Sequence, residues 1–277
     1  MKISFFCSAL ATTAILSIPA CAQAISIFGN KVPQIPDVTD DTAAVTLGVK
    51  FYSTQAGTIA GIRFYRGHQA SSSGYTVKLF TAGGQLLASA QTGKDTCAVP
   101  CWEQVNFASP VSISANTTYV ASYYTANGNY ADDTGSMGLA SAVINGPLVA
   151  PASSTVGGNG VYTYSTYSTG FPNQTWQQSN YYVDISFTPA APNLMISINP
   201  TNPVISAEVA PGTVVATVNV TWSDGSPFTG SLGFGSPYSN DGGIFALSGN
   251  QIIVNPSGPG VSRDGGTTQN ITIVATQ

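Results

Sequence analysis

The feature that most limits what this chain can fold into is a succession of short apolar and polar alternations separated by turn residues. Residues 45–51 read Val-Thr-Leu-Gly-Val-Lys-Phe, in which every second side chain is apolar, as in a strand with one buried face. Comparable runs recur at intervals of about 8–12 residues as far as Phe187. Because no stretch in this part shows a sustained helical period, the pattern predicts an all-β chain beginning with a β-sandwich.

The N-terminus has the layout of a secretory signal. Lys2 is followed by a mostly apolar run from Ile3 to Ile18, and Ala22-Gln23-Ala24 fits a small-residue cleavage site. We therefore predict that residues 1–24 are a removable signal peptide and that the mature protein is secreted. A second hypothesis makes Cys21 a lipidated N-terminus, since residues 18–21 resemble a bacterial lipobox. No other run is long enough to span a bilayer.

The charge balance excludes two classes of partner. Only 7% of residues are charged, as is typical of secreted β-rich proteins. Loss of Lys2 with the signal would leave seven bases against twelve acids, a formal charge of −5. Without a basic run, neither nucleic acid nor an anionic membrane surface is an expected partner.

Two cysteines remain after the signal, Cys97 and Cys101, separated by Ala-Val-Pro. In an oxidising compartment this spacing predicts a local disulfide that fixes the shape of a hairpin loop. The alternatives are a redox pair or a metal site. A metal site is disfavoured because there is no second cysteine pair and the single histidine, His68, is distant in sequence.

The pattern of strands restarts after a proline-containing linker at residues 189–192. Residues 214–222 form the longest alternating run beyond it, and further short runs follow, separated by Gly, Pro, Ser, Asn and Asp. We predict a first domain over 25–188 and a smaller, immunoglobulin-like sandwich over 193–277.

Several separate motifs in the first domain resemble the family of domains of unknown function DUF4082, over about residues 26–187. They are Thr39-Asp40-Asp41, Leu47-Gly48-Val49-Lys50-Phe51, Gly61-Ile62-Arg63-Phe64-Tyr65, Thr117-Thr118-Tyr119-Val120-Ala121-Ser122-Tyr123, Gly157-Gly158-Asn159-Gly160-Val161-Tyr162 and Asn180-Tyr181-Tyr182-Val183-Asp184-Ile185. The resemblance implies a jelly-roll-like sandwich in an exported bacterial protein. It carries no agreed activity.

The second domain resembles a bacterial cadherin-like domain at residues 210–218 and 243–247. Of the acidic clusters that bind calcium in cadherins, only Asp224-Gly225 is present. Calcium-dependent rigidity of this domain is therefore not expected.

The strand that closes the first domain is preceded by a loop rich in glycine and aromatic residues. Alternation predicts that Tyr181, Val183, Ile185 and Phe187 face the core, and that Tyr182, Asp184 and Ser186 face outward. Aromatic faces beside polar groups suit the binding of pyranose rings. From the set Tyr162, Tyr164, Tyr167, Phe171, Trp176 and Tyr182, we predict Tyr162, Tyr164, Trp176 and Tyr182 as ligand-binding residues.

The acidic residues allow two kinds of chemistry. Asp40 and Asp41 at the start of the sandwich, with Asp184 on its last strand, are predicted as calcium ligands, and Asp132-Asp133 is another acidic cluster. Alternatively, Asp40 caps a turn and Asp184 binds Arg63 or a backbone amide. The second kind of chemistry is glycoside hydrolysis by two carboxylates.

These observations favour a secreted, non-catalytic binding or adhesion module that contacts glycans or a protein at the bacterial cell surface. No cofactor other than calcium is implied. The alternatives are a secreted hydrolase acting on glycans and a purely structural module of the cell envelope. His68, in a loop of small residues, is not expected to be catalytic, because no serine has the context of a nucleophile.

Overall fold

The protein was analysed as a computed structural model. It describes residues 2–7, 23–68, 74–92, 97–205, 209–223, 225–235, 240, 242–261 and 268–276. The chain divides into two compact units, with the boundary between Ala190 and Ala191, inside the predicted linker.

The regular secondary structure of the described residues is almost entirely β-strand, which confirms the predicted all-β class. The strands up to Pro189 are β1 Lys2–Cys7, β2 Val45–Ser53, β3 Gly57–Arg66, β4 Tyr75–Thr81, β5 Leu86–Thr92, β6 Cys101–Ile113, β7 Tyr119–Thr125, β8 Val143–Asn145, β9 Leu148–Ala150, β10 Val161–Tyr164, β11 Gln174–Thr175 and β12 Val183–Pro189. Those of the second unit are β13 Leu194–Asn199, β14 Val214–Trp222, β15 Ser231–Phe234, β16 Phe245–Ser248, β17 Gln251–Val254 and β18 Thr268–Thr276. Single turns of 3-10 helix lie at Gly135–Met137 and Ser153–Thr155.

The first unit is a sandwich of two antiparallel sheets. The larger sheet has the order β11-β10-β2-β7-β4-β5, with β9 also pairing with β2 and β8 with β9. The smaller sheet has the order β12-β3-β6. The alternating apolar residues of β2 are buried between the sheets against those of β3, including Ile62 and Phe64. Each large apolar side chain removed from water in this way contributes about 1.5–3 kcal/mol.

The second unit is also built from two sheets around its own core. One has the order β13-β14-β17-β16 and the other β1-β18-β15. The core includes Val218 of β14, Phe245 of β16 and Ile271 of β18. β1 lies parallel to β18 at the edge of its sheet. Residues 8–22, which contain Cys21 and most of the predicted signal, lie outside the described residues, so the signal and the lipidation stay predictions.

Pro110 lies inside a strand. β6 runs through it, and the pairing of β6 with β3 jumps from Val111 opposite Ile59 to Asn106 opposite Gly61. β6 is at the edge of its sheet. Since proline has no N–H to donate, an irregular stretch of an edge strand is where it is tolerated.

The closing strand β12 is buried on both faces, which corrects the predicted half-buried strand. Val183 and Ile185 face the core as expected, but Asp184 on the other face, and Tyr182 immediately before the strand, are each 0% exposed. The extended segment that begins at Ile25 covers this second face.

Two carboxylates hold that segment, residues 25–38, against the sheet. Asp184 accepts hydrogen bonds from the backbone N–H of Ile27 at 2.6 Å and of Phe28 at 3.0 Å. Asp133 accepts from the backbone N–H of Gln34 at 3.0 Å and of Ile35 at 3.1 Å. Both carboxylates are buried, so an irregular segment obtains the acceptors that a sheet neighbour would otherwise provide.

A partly buried arginine also joins the segment to β3. Arg63 of β3 lies 3.7 Å from the Asp184 carboxylate and donates to Ser26 Oγ at 2.6 Å. Its guanidinium also lies over the Trp102 ring, 4.9 Å from the centroid. The alternative reading of Asp184, as a partner of Arg63 and of backbone amides, is therefore the one the structure supports.

The disulfide between Cys97 and Cys101 is present, with the two Cα atoms 6.3 Å apart. It closes the loop directly before β6. Next to it, the buried Arg66 and Glu103 form an ion pair at 3.3 Å. In the described part of the chain, no helix has the length and hydropathy needed to cross a bilayer.

Replacing the buried carboxylate of β12 should destabilise the first unit. In Asp184→Ala, the N–H groups of Ile27 and Phe28 lose their acceptor and Arg63 loses its counter-charge. We expect the free energy of unfolding in urea to fall by about 3 kcal/mol. Asp40→Ala, at an exposed carboxylate of the same unit, is the control and should change it by less than about 0.5 kcal/mol. Equal effects of the two variants would contradict the assignment.

Candidate functional site

The candidate site is a cavity of about 440 Å³ in the first unit, where the covering segment ends. Its floor is apolar, formed by Val38, Val45 and Leu47. Its walls carry hydroxyl, aromatic and carboxyl groups, from Asp40, Asp41, Tyr130, Asp132, Tyr162, Tyr164, Trp176 and Tyr181. The volume is in the range of ordinary small-ligand sites.

Asp41 is fixed in the wall by two phenol groups. Its carboxylate accepts hydrogen bonds from the Tyr164 hydroxyl at 2.6 Å and the Tyr130 hydroxyl at 2.8 Å. Burial alone would raise the pKa of Asp41, but these bonds and one from the Ala43 N–H outweigh it and hold the pKa below its ordinary value. The bond to Asp41 is the main reason that the pKa of Tyr164 rises to about 12. At neutral pH the site therefore holds an ionised carboxylate between neutral phenols.

Asp132, in contrast to Asp41, is a carboxyl group whose pKa is raised. It is buried, its Oδ2 accepts from the Ser179 hydroxyl at 3.1 Å, and its Oδ1 has no hydrogen-bond partner within the described residues. Burial raises the pKa of Asp132 to about 6, the Ser179 bond opposes that rise, and the neighbouring Asp133 adds to it. One cavity thus contains two carboxyl groups whose pKa values are shifted in opposite directions.

The aromatic side chains form a partly open platform. The rings of Tyr162 and Tyr164 meet edge to face with centroids 5.5 Å apart, and Tyr162 meets Tyr181 in the same way at 6.4 Å. Tyr164 is 51% exposed and Trp176 is 56% exposed. Large aromatic groups left this open have unused faces for a ligand.

The pairing of β10 with β11 brings the aromatic residues of the platform together. Tyr162 and Tyr164 are two residues apart on β10 and so point to the same face. β11 pairs with β10 so that Gln174 lies opposite Tyr162. Trp176 follows β11 directly, two residues after Gln174, and lines the same cavity as Tyr162.

The glycine-rich stretch before β10 is built around a buried asparagine. Asn159 Oδ1 accepts from the N–H groups of Lys50 and Gly160, and its Nδ2 donates to the carbonyls of Lys50 and Pro151. Gly160 has φ of +74°, and a Cβ there would lie 1.8 Å from the Ser179 carbonyl oxygen. Only glycine fits at this position, and the bonds of Asn159 fix where β10 begins.

Five of the predicted site residues line one cavity and two do not. Tyr162, Tyr164 and Trp176 lie there together with Asp40 and Asp41, which had been expected in a separate metal site. Tyr182 is a correction: it is fully buried, and its hydroxyl donates to Asp133. Its side chain is part of the core and offers no surface to a ligand.

The structure also corrects the predicted set of calcium ligands. The carboxylate of Asp184 is buried against Ile27 and Phe28, whereas that of Asp41 binds tyrosine hydroxyls in the cavity. Over the residues that the structure describes, Asp40, Asp41 and Asp184 do not form a group that could share one ion. The group that does come close is Cys97, Cys101 and Glu103, but its two sulfur atoms are joined in the disulfide.

Three cavity residues, Tyr130, Asp132 and Tyr181, were not predicted as site residues. Asp132 had been noted only as half of an acidic pair, and Tyr181 only as a core residue. Their place in the site depends on long-range packing that no local pattern encodes. His68 lies elsewhere, with its Nδ1 2.6 Å from Asp37 Oδ2, and does not line the cavity.

The raised pKa of Asp132 predicts a pH-dependent contribution to stability. Its folded pKa of about 6 lies above that of an unfolded aspartate, near 4, so the contribution is fully present below about pH 4 and is lost as pH rises through about 6. Asp132→Asn keeps an acceptor for Ser179 but does not ionise. From about pH 3.5 to pH 8, the unfolding free energy of the variant relative to wild type should therefore increase by about 3 kcal/mol. Asp40→Asn is the control, and a pH-independent difference for Asp132→Asn would contradict the assignment.

Comparison with known proteins gives a family. A search of curated proteins found no match to the chain. The family described as "Domain of unknown function (DUF4082)" matches residues 30–183, which is more than half of the chain and spans every residue lining the cavity. The chain therefore belongs to the DUF4082 family.

Proposed function

We propose that the first unit binds a sugar residue of a glycan in the aromatic cavity, as a non-catalytic binding or adhesion module. The observation that carries the proposal is the combination of Tyr162, Tyr164 and Trp176 with an immobilised carboxylate, Asp41, around one opening. A sugar ring has an apolar C–H face that stacks on aromatic rings and hydroxyl groups that donate to carboxylates.

The geometry of the cavity suits both kinds of contact, stacking on aromatic rings and hydrogen bonding to a carboxylate. The exposed ring of Trp176 and the edge-to-face pair of Tyr162 and Tyr164 offer the apolar contact. Asp41 remains ionised, and its two tyrosine donors hold its orientation before a ligand arrives. Because the carboxylate is already oriented, binding does not incur the entropic cost of ordering that side chain.

The setting of the module belongs to the same proposal. Residues 1–24 direct the protein out of a bacterial cell, and the mature protein acts at the cell surface. The second unit, an immunoglobulin-like or cadherin-like sandwich, separates the binding unit from its point of attachment or contacts a protein partner. The separate core of that unit, around Val218 and Phe245, supports this role.

Removing the exposed tryptophan should weaken glycan binding. On an array of glycans, we expect wild-type protein to bind and Trp176→Ala to lose on the order of tenfold or more in affinity, because the stacking face is gone. Tyr167→Ala is the matched control: Tyr167 lies in the connection between β10 and β11 and is 73% exposed, but it does not line the cavity. Binding should be the same with calcium and with chelator. Absence of any binding by wild type would favour a purely structural envelope module.

The two carboxyl groups of the cavity favour a second candidate, glycan hydrolysis. Asp132 has a raised pKa of about 6 and Asp41 a lowered pKa, which is how a general acid and its partner carboxylate are distinguished in glycosidases. In this reading, Asp132 protonates the leaving oxygen and Asp41 acts as base or nucleophile. The buried position of Asp132 Oδ1 is the reason that binding without turnover is our first proposal.

Product analysis separates the two candidates. Glycans that bind to the array are incubated with wild-type protein and with Asp132→Asn at about pH 5, and the products are identified by mass spectrometry. For a binding module, no new reducing ends form with either protein. Release of products by wild type, and loss of that release in Asp132→Asn with binding retained, would overturn the non-catalytic proposal. Asp40→Asn is the control for the loss of one carboxylate from the same cavity.

A further inference from the structure

A second cavity, of about 600 Å³, lies beside the turn that carries Trp176. Among the described residues, no charged or aromatic side chain lines it. Its lining consists of hydroxyl groups, the amides of Gln177 and Gln178, and two glycines. Hydroxyl and amide groups both donate and accept hydrogen bonds, so the cavity suits a neutral ligand with many hydroxyl groups better than an ion or an apolar molecule.

One short segment forms a wall of both cavities. Trp176 lines the aromatic cavity, whereas Thr175, Gln177 and Gln178 line the second one. The two cavities therefore adjoin the same short segment, on either side of Trp176 in the sequence.

The turn between them has an unusual backbone. The N–H of Ser179 bonds to the carbonyl of Trp176 at 2.8 Å, and the two central residues, Gln177 and Gln178, have φ of +40° and +59°. Two positive φ values are typical of a type I′ turn, which favours Asn-Gly because other residues pay a steric cost. Two glutamines at these positions are strained, and such strain is concentrated at functional sites.

Main-chain bonds maintain this strained turn. The carbonyl of Gln177 accepts from the Gly135 N–H at 2.8 Å, and that of Gln178 accepts from the Leu139 N–H at 2.7 Å. Neither glutamine side chain has a hydrogen-bond partner among the described residues, and both are exposed. The backbone carbonyls of the two glutamines stabilise the turn, and their side-chain amides are available to bind a ligand.

A glycine keeps the second cavity open. Gly158 has φ of +97°, and a Cβ at this position would lie 2.5 Å from Thr175 Cγ2. Its carbonyl accepts from Lys50 Nζ at 2.8 Å, which fixes the loop that forms this wall.

We propose that the second cavity is a subsite for a neighbouring sugar unit, so that the protein recognises a neutral oligosaccharide whose chain crosses Trp176. Gln177 and Gln178 bond its hydroxyl groups, while the aromatic cavity holds the adjoining unit. This inference rests on the proposed glycan-binding function and specifies its ligand as a chain of at least two units.

The test is the dependence of affinity on chain length. The probes are neutral homo-oligosaccharides of glucose, mannose, xylose and N-acetylglucosamine, from one to six units, titrated calorimetrically into the full chain. For the sugar that binds, wild type should gain on the order of tenfold in affinity or more from one unit to three, because a second set of hydrogen bonds is added.

The variant that isolates the subsite replaces Gln177 and Gln178 together by glycine. Glycine accepts positive φ, so the turn is retained while both amides are removed. We expect the gain with chain length to disappear and the affinity for one unit to be unchanged. The unfolding midpoint, which should not fall, shows that the turn is intact. Gln174→Ala, at an exposed amide that lines neither cavity, is the control and should behave as wild type.

The outcomes distinguish this inference from the function on which it rests. Binding that Trp176→Ala removes, but that neither chain length nor the double glycine variant changes, would overturn the second subsite alone. No binding of any sugar at any length by wild type would overturn both proposals.

Discussion

The first unit depends on the burial of two carboxylates that satisfy a stretch of irregular backbone. Residues 25–38 lie over the smaller sheet, and apart from the bridge of Ile25 to Phe187 they form no strand there. Their N–H groups would be left without acceptors if Asp184 and Asp133 did not reach them. Burial raises the pKa of Asp184, and its N–H donors and Arg63 offset part of that cost. The same segment continues into Asp41, so these bonds also fix one wall of the candidate site.

Backbone strain is concentrated between that site and the covered sheet. Gln177, Gln178 and Tyr182 all have positive φ, within six residues. Each costs on the order of 1 kcal/mol and needs surrounding contacts to hold it. Tyr182 has them: its hydroxyl binds Asp133, and its N–H donates to Asn180 Oδ1. Within the described part of the chain, the two glutamines are held through the hydrogen bonds of their carbonyls. At Tyr182, buried hydrogen bonds compensate the backbone strain. At Gln177 and Gln178, the strained backbone instead presents exposed side-chain amides to a cavity.

The parts of the fold that could be predicted from sequence are those that local physics decides. Period-two alternation located β2, and two cysteines four residues apart gave the disulfide. Alternation failed where a distant segment changes the environment of a strand: the outward face of β12 is buried because residues 25–38 cover it. The alternation of residues 214–222 is also interrupted: the pairing of β14 shifts between Val214 and Ala216, so Val214 is exposed and Val215 enters the core.

Only part of the candidate site could be predicted from the sequence, because local patterns do not encode long-range contacts. Tyr162 and Tyr164 share a face because they are two residues apart on one strand, and Trp176 joins them because β11 pairs directly with β10. These relations involve neighbours in sequence or adjacent strands. Asp132 and Tyr130 come from a different part of the chain, which the pairing of Asp133 with Asn180 brings beside the turn. Residue type was enough to identify the aromatic residues of the platform. Which carboxylates lie beside them depends on contacts between distant parts of the chain.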